Sequence, residues 1–310
     1  MDFLSWQLDF LYMIQCFRET SNHILDNFFI HITTLGEALI PISLTAIIYW
    51  CINKKTGMYL LWSYIICYVI NIALKVTACI QRPWVLDSRI HPVPCAIHHA
   101  TGYSFPSGHT AGATSIWGSL AVANWGNKGL RFLLLSIVVL VMLSRCYLGV
   151  HTPQDVIVSF IIGMIVVTTI YNIQKGKWSM FADIVWLILF TIICILLGSY
   201  VCTKAYPYCA LYNPEPIKAD TIARIGFFLS VAYGWFIEKH FIKFDPQSGG
   251  IISKILKGGI GLVILYGLYK YANPILATYM PALPASVCAH ATIGLFITAI
   301  HPWFIKEVFR

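Results

Sequence analysis

The chain has 310 residues, of which 58% are hydrophobic and 11% charged, and its mean hydropathy is +0.72. Soluble domains are about 45–50% apolar and about 25% charged. The composition therefore excludes a soluble enzyme, a disordered chain and a nucleic-acid-binding module. The net charge of +8 is typical of a membrane protein with basic cytoplasmic loops, and it requires no polyanionic partner.

The apolar segments predict an all-α fold, a polytopic transmembrane helix bundle of about nine spans with an N-terminal interfacial amphipathic helix. In residues 1–20, large apolar side chains recur at helical spacing, which is typical of a helix lying in the membrane interface. These apolar side chains are Phe3, Trp6, Phe10, Met13 and Phe17. The nine predicted spans are 27–51, 58–80, 107–125, 130–148, 154–173, 180–202, 222–240, 255–275 and 283–306.

Basic residues divide unevenly between the loops on the two sides of these spans, 12 against 9. Because cytoplasmic loops carry the excess of Lys and Arg, we expect the N-terminus outside and the C-terminus in the cytoplasm. Glu37 falls in the middle of the first predicted span, where we expect a protonated or hydrogen-bonded carboxyl group.

The ten cysteines include no CxxC pair, so no metal site is predicted from them. Cys202 and Cys209 flank a short loop and can pair if that loop faces an oxidising space. Three histidines in the loop 84–102 have a spacing that fits no metal-ligand pattern. They are His91, His98 and His99.

Three segments concentrate polar residues at the predicted outer ends of the spans. In the first, Lys75 and Arg82 are seven residues apart, about two helical turns, so we expect them to share one face of a helix. Pro83 ends that helix. A single Lys or Arg at a helix end often only snorkels to the interface. The pair therefore indicates an anion site only in combination with the other segments.

The second segment, Ser107-Gly108-His109, opens the third predicted span after Pro106. A serine at this position is typical of an N-cap. The backbone N–H groups of a first helical turn bind phosphate oxygens, and a glycine lets an anion approach them closely. His109 is a candidate proton donor.

The third segment runs from Arg145 to Asp155. Thr152, Pro153 and Asp155 predict the N-cap, N1 and N3 positions of the fifth span. His151 lies four residues before Asp155, whose carboxylate can bond one imidazole nitrogen and leave a lone pair on the other. If Asp155 only capped the helix, the cap would not explain why a histidine lies directly before it.

The patterns K-x6-RP, PSGH and SR-x5-H-x3-D, in this order, resemble the signature of the type 2 phosphatidic acid phosphatase superfamily. Its site is shared with vanadium haloperoxidases and glucose-6-phosphatase. The resemblance covers residues 27–173, which we expect to form a five-span catalytic core. Residues 1–26 would be the interfacial helix, and 174–310 a four-span extension of unassigned role.

The resemblance implies a phosphatase that works through a phosphohistidine, with no metal and no cofactor. His151 would be the nucleophile, Asp155 would orient it, and His109 would protonate the leaving group. Five residues would hold the phosphoryl oxygens: Lys75, Arg82, Ser107, Gly108 and Arg145. Fixed cations of this kind can stabilise the charge of phosphoryl transfer in place of Mg²⁺. Ser144 would support them.

A site at the outer interface favours a head group presented by a lipid. We therefore expect membrane lipids as surroundings, a phosphorylated lipid as substrate and no nucleic acid as partner. Three alternatives stay open: a sugar-phosphate phosphatase of the glucose-6-phosphatase type, a lipid-linked phosphotransferase, and a non-catalytic lipid transporter. Oligomeric state and organism are not indicated.

Overall fold

The computed structural model describes residues 3–98, 100–207 and 215–309. All regular structure in these ranges is helical, as the sequence predicts. The chain divides into two compact units. The first comprises Met1–Pro41, Trp62–Ile173 and Ala205–Pro216, and the second comprises Ile42–Leu61, Gln174–Lys204 and Ile217–Arg310.

The first unit is built around one helix that contacts most of the others. The helices that lie wholly or partly in it are α1 (Phe3–Thr20), α2 (Asp26–Thr34), α3 (Leu39–Ile47), α4 (Lys54–Ala78), α5 (Pro83–Leu86), α6 (Pro94–His98), α7 (Gly108–Ala113), α8 (Ser119–Ala123), α9 (Lys128–Tyr147) and α10 (Pro153–Ile173). A π-helical segment, Thr114–Gly118, joins α7 to α8 without a break. The central helix is α9, which packs against α1, α2, α7, α8 and α10.

A bend of 47° separates α2 from α3. Gly36 lies in this bend, and a Cβ on it would collide with the carbonyl oxygen of His109. A Cβ on Gly112 would in turn collide with the carbonyl oxygen of Gly36. The two glycines therefore allow the bend to lie directly against the start of α7. Glu37, predicted within a continuous span, lies in this bend outside either helix.

The second unit contains the later helices. They are α11 (Met180–Thr203), α12 (Glu215–Ile237), α13 (Ile251–Leu276), α14 (Ala282–Leu295) and α15 (His301–Val308). Two buried carboxylates are paired there: Glu238 with Lys54 at 2.7 Å, and Asp183 with Lys239 at 2.6 Å. Such pairing is required because an isolated charge in an apolar interior is costly.

Six helices in the described ranges are long and apolar enough to cross a membrane, and seven if the bent pair α2 and α3 forms one span. The chain is therefore a multi-pass membrane protein. Two further predicted spans correspond to the helix from Gly108 to Ala123 and to α12. The first is short, and the second carries Arg224 close to its centre. The count of nine stays a prediction.

Helix α1 turns its polar side chains towards the rest of the first unit. Gln7 accepts a hydrogen bond from the N–H of Gln154 at 2.9 Å, and Gln15 accepts one from the N–H of His91 at 2.7 Å. Arg18 donates to the carbonyl oxygen of His91 at 2.7 Å. Leu8 and Leu11 are buried, whereas four of the apolar side chains that define the predicted interfacial face are exposed: Trp6, Phe10, Met13 and Phe17. The interfacial position of this helix stays a prediction.

Candidate active site

Four helix ends of the first unit meet at the candidate site: the C-terminal ends of α4 and α9, and the N-terminal ends of α7 and α10. A backbone hydrogen bond from the N–H of Ser107 to the carbonyl of Asp155, at 3.1 Å, joins the two N-terminal ends. Each predicted site residue lies at one of these ends or in an adjoining loop: Lys75, Arg82, Ser107, Gly108, His109, Arg145, His151 and Asp155.

Lys75 holds the loop that leads into α7. Its Nζ donates to the carbonyl oxygens of Tyr103 at 2.7 Å, Ser104 at 3.2 Å and Pro106 at 2.9 Å. These contacts fix the backbone immediately before Ser107. A direct contact between Lys75 and a phosphoryl oxygen stays a prediction.

Arg82 does not share a helix with Lys75, contrary to the prediction from their spacing. Helix α4 ends at Ala78, and Cys79 has a left-handed backbone with φ of 50°. A left-handed residue cannot continue a right-handed helix. Arg82 therefore lies in extended backbone, directly before Pro83 opens the short α5.

The guanidinium of Arg82 is buried and joins two loops to the imidazole of His151. It donates to the carbonyl oxygens of Thr101 and Gly102 at 3.0 Å and of Val150 at 2.9 Å. Its Nη1 also lies 3.0 Å from Nε2 of His151. Because a guanidinium only donates, Nε2 is the acceptor in this contact. The neutral imidazole then has its lone pair on Nε2 and its proton on Nδ1.

The proton on Nδ1 of His151 faces the carboxylate of Asp155, whose Oδ2 lies at 3.3 Å. The hydroxyl of Ser104 donates to the same oxygen at 2.5 Å, and the N–H of Thr152 donates to it at 2.8 Å. The predicted N-cap arrangement at the start of α10 is thus confirmed. Asp155 serves both the helix terminus and the imidazole.

His151 is almost completely buried, with 2% of its surface exposed. Burial is the main cause that lowers its pKa well below the ordinary value of 6.5, and the positive charges of Arg82, Arg145 and Lys75 lower the pKa further. The imidazole is therefore neutral at physiological pH, which is the state a nitrogen nucleophile requires.

Gly149 lets the chain fold back from α9 to the site. Its φ is +75°, a conformation that favours glycine. The N–H of Gly149 bonds to the carbonyl of Cys146 at 3.0 Å, and the N–H of Val150 bonds to that of Arg145 at 3.2 Å. This compact C-terminal turn places His151 close to the end of α9.

Ser107 caps α7, as the sequence predicts. Its Oγ accepts from the N–H of Thr110 at 3.4 Å and from the Thr110 hydroxyl at 3.1 Å. The hydroxyl of Ser159 donates to the Ser107 carbonyl at 2.8 Å, which ties this cap to α10. A Cβ on Gly108 would meet no atom within 4 Å, so the space beside this backbone is open to an anion.

Arg145 is 1% exposed, and its Nη1 donates to the hydroxyl of Thr33 at 2.7 Å. Its Nε and Nη2 are buried and have no hydrogen-bond partner among the described residues. Buried donors of this kind are costly unless they are satisfied. Two donors on one side of a planar guanidinium match two oxygens of a phosphoryl group.

His109, in the first turn of α7, contacts Glu37 of the bend. The two side chains are 3.4 Å apart, from Nε2 to Oε1, and 12% and 30% exposed, respectively. The site thus contains two histidine–carboxylate pairs, one at His151 and one at His109.

Sequence reasoning did not assign Ser104, Thr33 or Glu37 to the site. A signal for Ser104 is available, because it is a hydroxyl residue three positions before Ser107 in the second polar segment. Glu37 is marked by its charge within an apolar segment. Thr33 has no sequence signal, since nothing distinguishes it from its neighbour Thr34.

Other polar residues have local roles. The hydroxyl of Ser144 donates to the carbonyl of Val141 in its own helix at 2.6 Å. Arg89 is paired with Asp87 and Asp9, each at 2.7 Å, and its hydrogen bonds lower the pKa of Asp87.

Among the described residues, no group of His, Cys, Asp and Glu side chains could hold a metal ion. Three side chains considered above lie outside the described part: those of His98, His99 and Cys209.

Comparison with known families gives two matches, one mainly in the first compact unit and one in the second. The model described as the PAP2 superfamily matches residues 56–179. The model described as PAP2 superfamily phosphatase, transmembrane extension, matches residues 222–309. No solved structure matches the chain.

Three known proteins illustrate what the chain is similar to. It is 30% identical over 149 residues to the undecaprenyl-diphosphatase BcrC of Bacillus subtilis, over 45% of this chain and 72% of that protein. It is 24% identical over 312 positions to the glucose-6-phosphatase catalytic subunit 1 of Canis lupus familiaris, over 84% of each. It is 36% identical over 92 residues to phosphatidylglycerophosphatase B of Haemophilus influenzae, over 26% of this chain and 38% of that protein.

These matches agree with the three polar segments and with the helix ends that bring them together. They support a phosphoric monoester hydrolase. The chain belongs to the PAP2 superfamily and carries that family's transmembrane extension.

Proposed function

We propose that the protein is a metal-independent phosphatase that hydrolyses lipid phosphate monoesters or diphosphates at the outer membrane face through a phosphohistidine. The observation that carries this proposal is the pair of contacts made by the two ring nitrogens of His151. Its Nε2 accepts a hydrogen bond from Arg82 and its Nδ1 faces Asp155, so the lone pair is on Nε2, beside the guanidinium of Arg82.

In the first step, the guanidinium of Arg82 turns from Nε2 of His151 to a phosphoryl oxygen. Nε2 then attacks phosphorus and the bond from phosphorus to the leaving oxygen breaks. His109 gives a proton to that oxygen, and Asp155 stabilises the positive charge that develops on the His151 imidazole. In the second step, water attacks the phosphohistidine, His109 takes a proton from the water, and the bond from nitrogen to phosphorus breaks. Inorganic phosphate leaves with its bond to the water oxygen.

The phosphoryl oxygens would be held by Arg145, Arg82, Lys75 and the backbone N–H groups beside Ser107 and Gly108. Arg145 supports this assignment most directly, because its Nε and Nη2 are buried without a partner among the described residues. Cations and N–H groups fixed in advance stabilise the negative charge of the transition state.

We place the site on the outer face, with the N-terminus outside and the C-terminus cytoplasmic, on the strength of the basic-residue distribution. Residues 27–173 would form the catalytic core, 174–310 a four-span extension and 1–26 an interfacial helix, with nine spans in all. The exposed apolar side chains of α1 support contact with lipid beside the site. A lipid substrate could then keep its tail in the bilayer.

A soluble sugar phosphate is the second candidate substrate. The similarity to a glucose-6-phosphatase extends over 84% of both chains, further than the similarity to the two lipid phosphatases. It therefore includes the extension as well as the core.

Phosphate release in detergent, with a chelator present, separates these candidates. We expect turnover of a lipid phosphate or lipid diphosphate and little of glucose 6-phosphate. His151→Ala and Arg145→Ala should each reduce the rate by at least about 100-fold, whereas His31→Ala, on an exposed part of α2, should not. Rapid quenching should trap an acid-labile phosphoryl group on the wild-type and His31→Ala chains but not on His151→Ala. Full activity in His151→Ala would overturn the mechanism, and faster turnover of glucose 6-phosphate would reverse the choice of substrate.

A further inference from the structure

The bend between α2 and α3 supplies two side chains to the site. Thr33, in the last turn of α2, accepts a hydrogen bond from Arg145, and Glu37 contacts His109. Both residues precede the part of the chain, 56–179, that matches the PAP2 family model. The contacts are therefore a feature of this chain in addition to the matched family region.

Several contacts fix the bend relative to α7. The indole N–H of Trp117 donates to the carbonyl oxygen of Leu35 at 2.9 Å. Gly36 and Gly112 allow the two backbones to touch, as described above. Glu37 follows Gly36 directly, so its carboxylate is held beside the first turn of α7.

The charges around His109 give this carboxylate a function. The positive charges of Arg145 and Arg82 act on the imidazole, and so does the negative charge of Glu37. Burial of the ring, the largest of these influences, and the two cations disfavour an imidazolium ion at this position, whereas the carboxylate favours it. A general acid must hold a proton before the reaction, so the cations that bind phosphate oppose the protonated state that the acid requires.

We propose that Glu37 is the positioning residue of the general acid, which holds His109 through Nε2 so that the proton on Nδ1 is the one transferred to the leaving group. The Nε2 proton stays on the bond to Glu37 throughout. Nδ1 loses its proton to the leaving oxygen in the first step and regains one from the attacking water in the second. The assignment rests on the proposed function, because it gives His109 a partner in that reaction.

The test compares two substrates with different needs for an acid. An alkyl phosphate has a poor leaving group, whereas 4-nitrophenyl phosphate releases a stable anion without protonation. We expect Glu37→Gln to lower kcat for the alkyl phosphate by about 100-fold, the lower range of general acid catalysis, and kcat for 4-nitrophenyl phosphate by less than about 3-fold. The alkaline limb of the pH–rate profile for the alkyl phosphate should move to lower pH, and Glu37→Asp should restore part of the rate.

Thr33→Val is the matched control, because Thr33 is a neighbour of Glu37 in the chain with a different partner. Since the Thr33 hydroxyl accepts its hydrogen bond from the phosphate-binding Arg145, this variant should raise KM for both substrates by the same factor. Equal losses on both substrates in Glu37→Gln, with an unmoved alkaline limb, would refute the role of Glu37. An active His151→Ala variant would instead refute the proposed function, so the two failures are distinguishable.

Discussion

At the scale of single residues, His151 is the side chain on which the other contacts converge. Arg82 occupies its Nε2, and Asp155 faces its Nδ1. Ser104 lies between the carboxylate and the ring, 2.5 Å from Asp155 and 3.4 Å from Nδ1. These contacts fix the ring orientation and its tautomer before any substrate arrives.

The lowered pKa of His151 predicts an unusual pH dependence. Because the pKa lies well below 6.5, the imidazole stays neutral and nucleophilic as the pH falls through that value. We therefore expect the acidic limb of kcat/KM to follow the ionisation of the substrate phosphate. Across alkyl phosphates with different second pKa values, the limb should move with the substrate. A limb that stays near 6.5 for all of them would show that the pKa of His151 is not lowered.

The hydroxyl of Ser104 should support catalysis through Asp155. Ser104→Ala removes a hydrogen bond to a carboxylate, so we expect kcat to fall about 10-fold. Ser144→Ala is the control, because that hydroxyl is also fully buried but bonds within its own helix. We expect it to change kcat by less than about 2-fold. The measurement is the steady-state kcat of the two purified variants. An equal loss of kcat in both would show that Ser104 has no specific role in catalysis.

The site residues within the three motifs could be predicted because each has a characteristic type at a characteristic spacing. The spacing of four residues, for example, places His151, just before the N-cap, near Asp155 in the first turn of α10. Thr33 and Glu37 could not be assigned in this way. Their place in the site depends on how α2 packs against α9 and how the bend after α2 packs against α7, and no short-range pattern encodes that packing.

At the scale of elements, two glycines near the start of α7 have opposite environments: Gly36 in the bend between α2 and α3, and Gly108 at the first position of α7. Gly36 is pressed against the carbonyl of His109, whereas Gly108 faces open space. The first is therefore needed for packing inside the protein, and the second is available for the approach of a ligand. The end of α4 shows a limit of prediction at this scale, because nothing in the sequence before Pro83 marks the left-handed Cys79.

Substitution of these two glycines by alanine should separate stability from substrate binding. Gly36→Ala forces two backbones apart, so we expect a melting temperature several degrees lower, as for a loss of about 1–3 kcal/mol from overpacking. Gly108→Ala should melt like the wild-type protein but raise KM by at least about 10-fold, through its added Cβ. Thermal unfolding in detergent and initial rates measure both. A Gly108→Ala variant with unchanged KM would argue against phosphate binding at this turn.

At the scale of the whole molecule, composition was sufficient to predict a multi-pass helical membrane protein. The number of spans was harder to predict. The pair α2 and α3 is bent, the helix from Gly108 to Ala123 is short, and α12 carries a charge near its centre, so length and hydropathy do not decide whether each of them crosses the membrane. Hydropathy measures only the composition of a segment, whereas bends and burial inside the bundle depend on its neighbours.

Labelling of Cys95 tests the proposed orientation. This thiol is exposed in α6, within the loop region that connects Arg82 to α7. With an impermeant maleimide and intact cells, we expect Cys95 to be modified, as identified by mass spectrometry of its peptide. Lys128→Cys, at the start of α9 on the expected cytoplasmic side, should react only after permeabilisation. The reverse pattern would place the site in the cytoplasm.

The two unsatisfied donors of Arg145 have a consequence for enzyme turnover. A buried guanidinium with two donors that have no partner among the described residues gains from any small oxyanion, including the inorganic phosphate that hydrolysis leaves behind. The product should therefore compete with the next substrate molecule, and the resting enzyme in a phosphate-rich medium should be partly occupied. Its rate would then respond to the local phosphate concentration as well as to the supply of substrate.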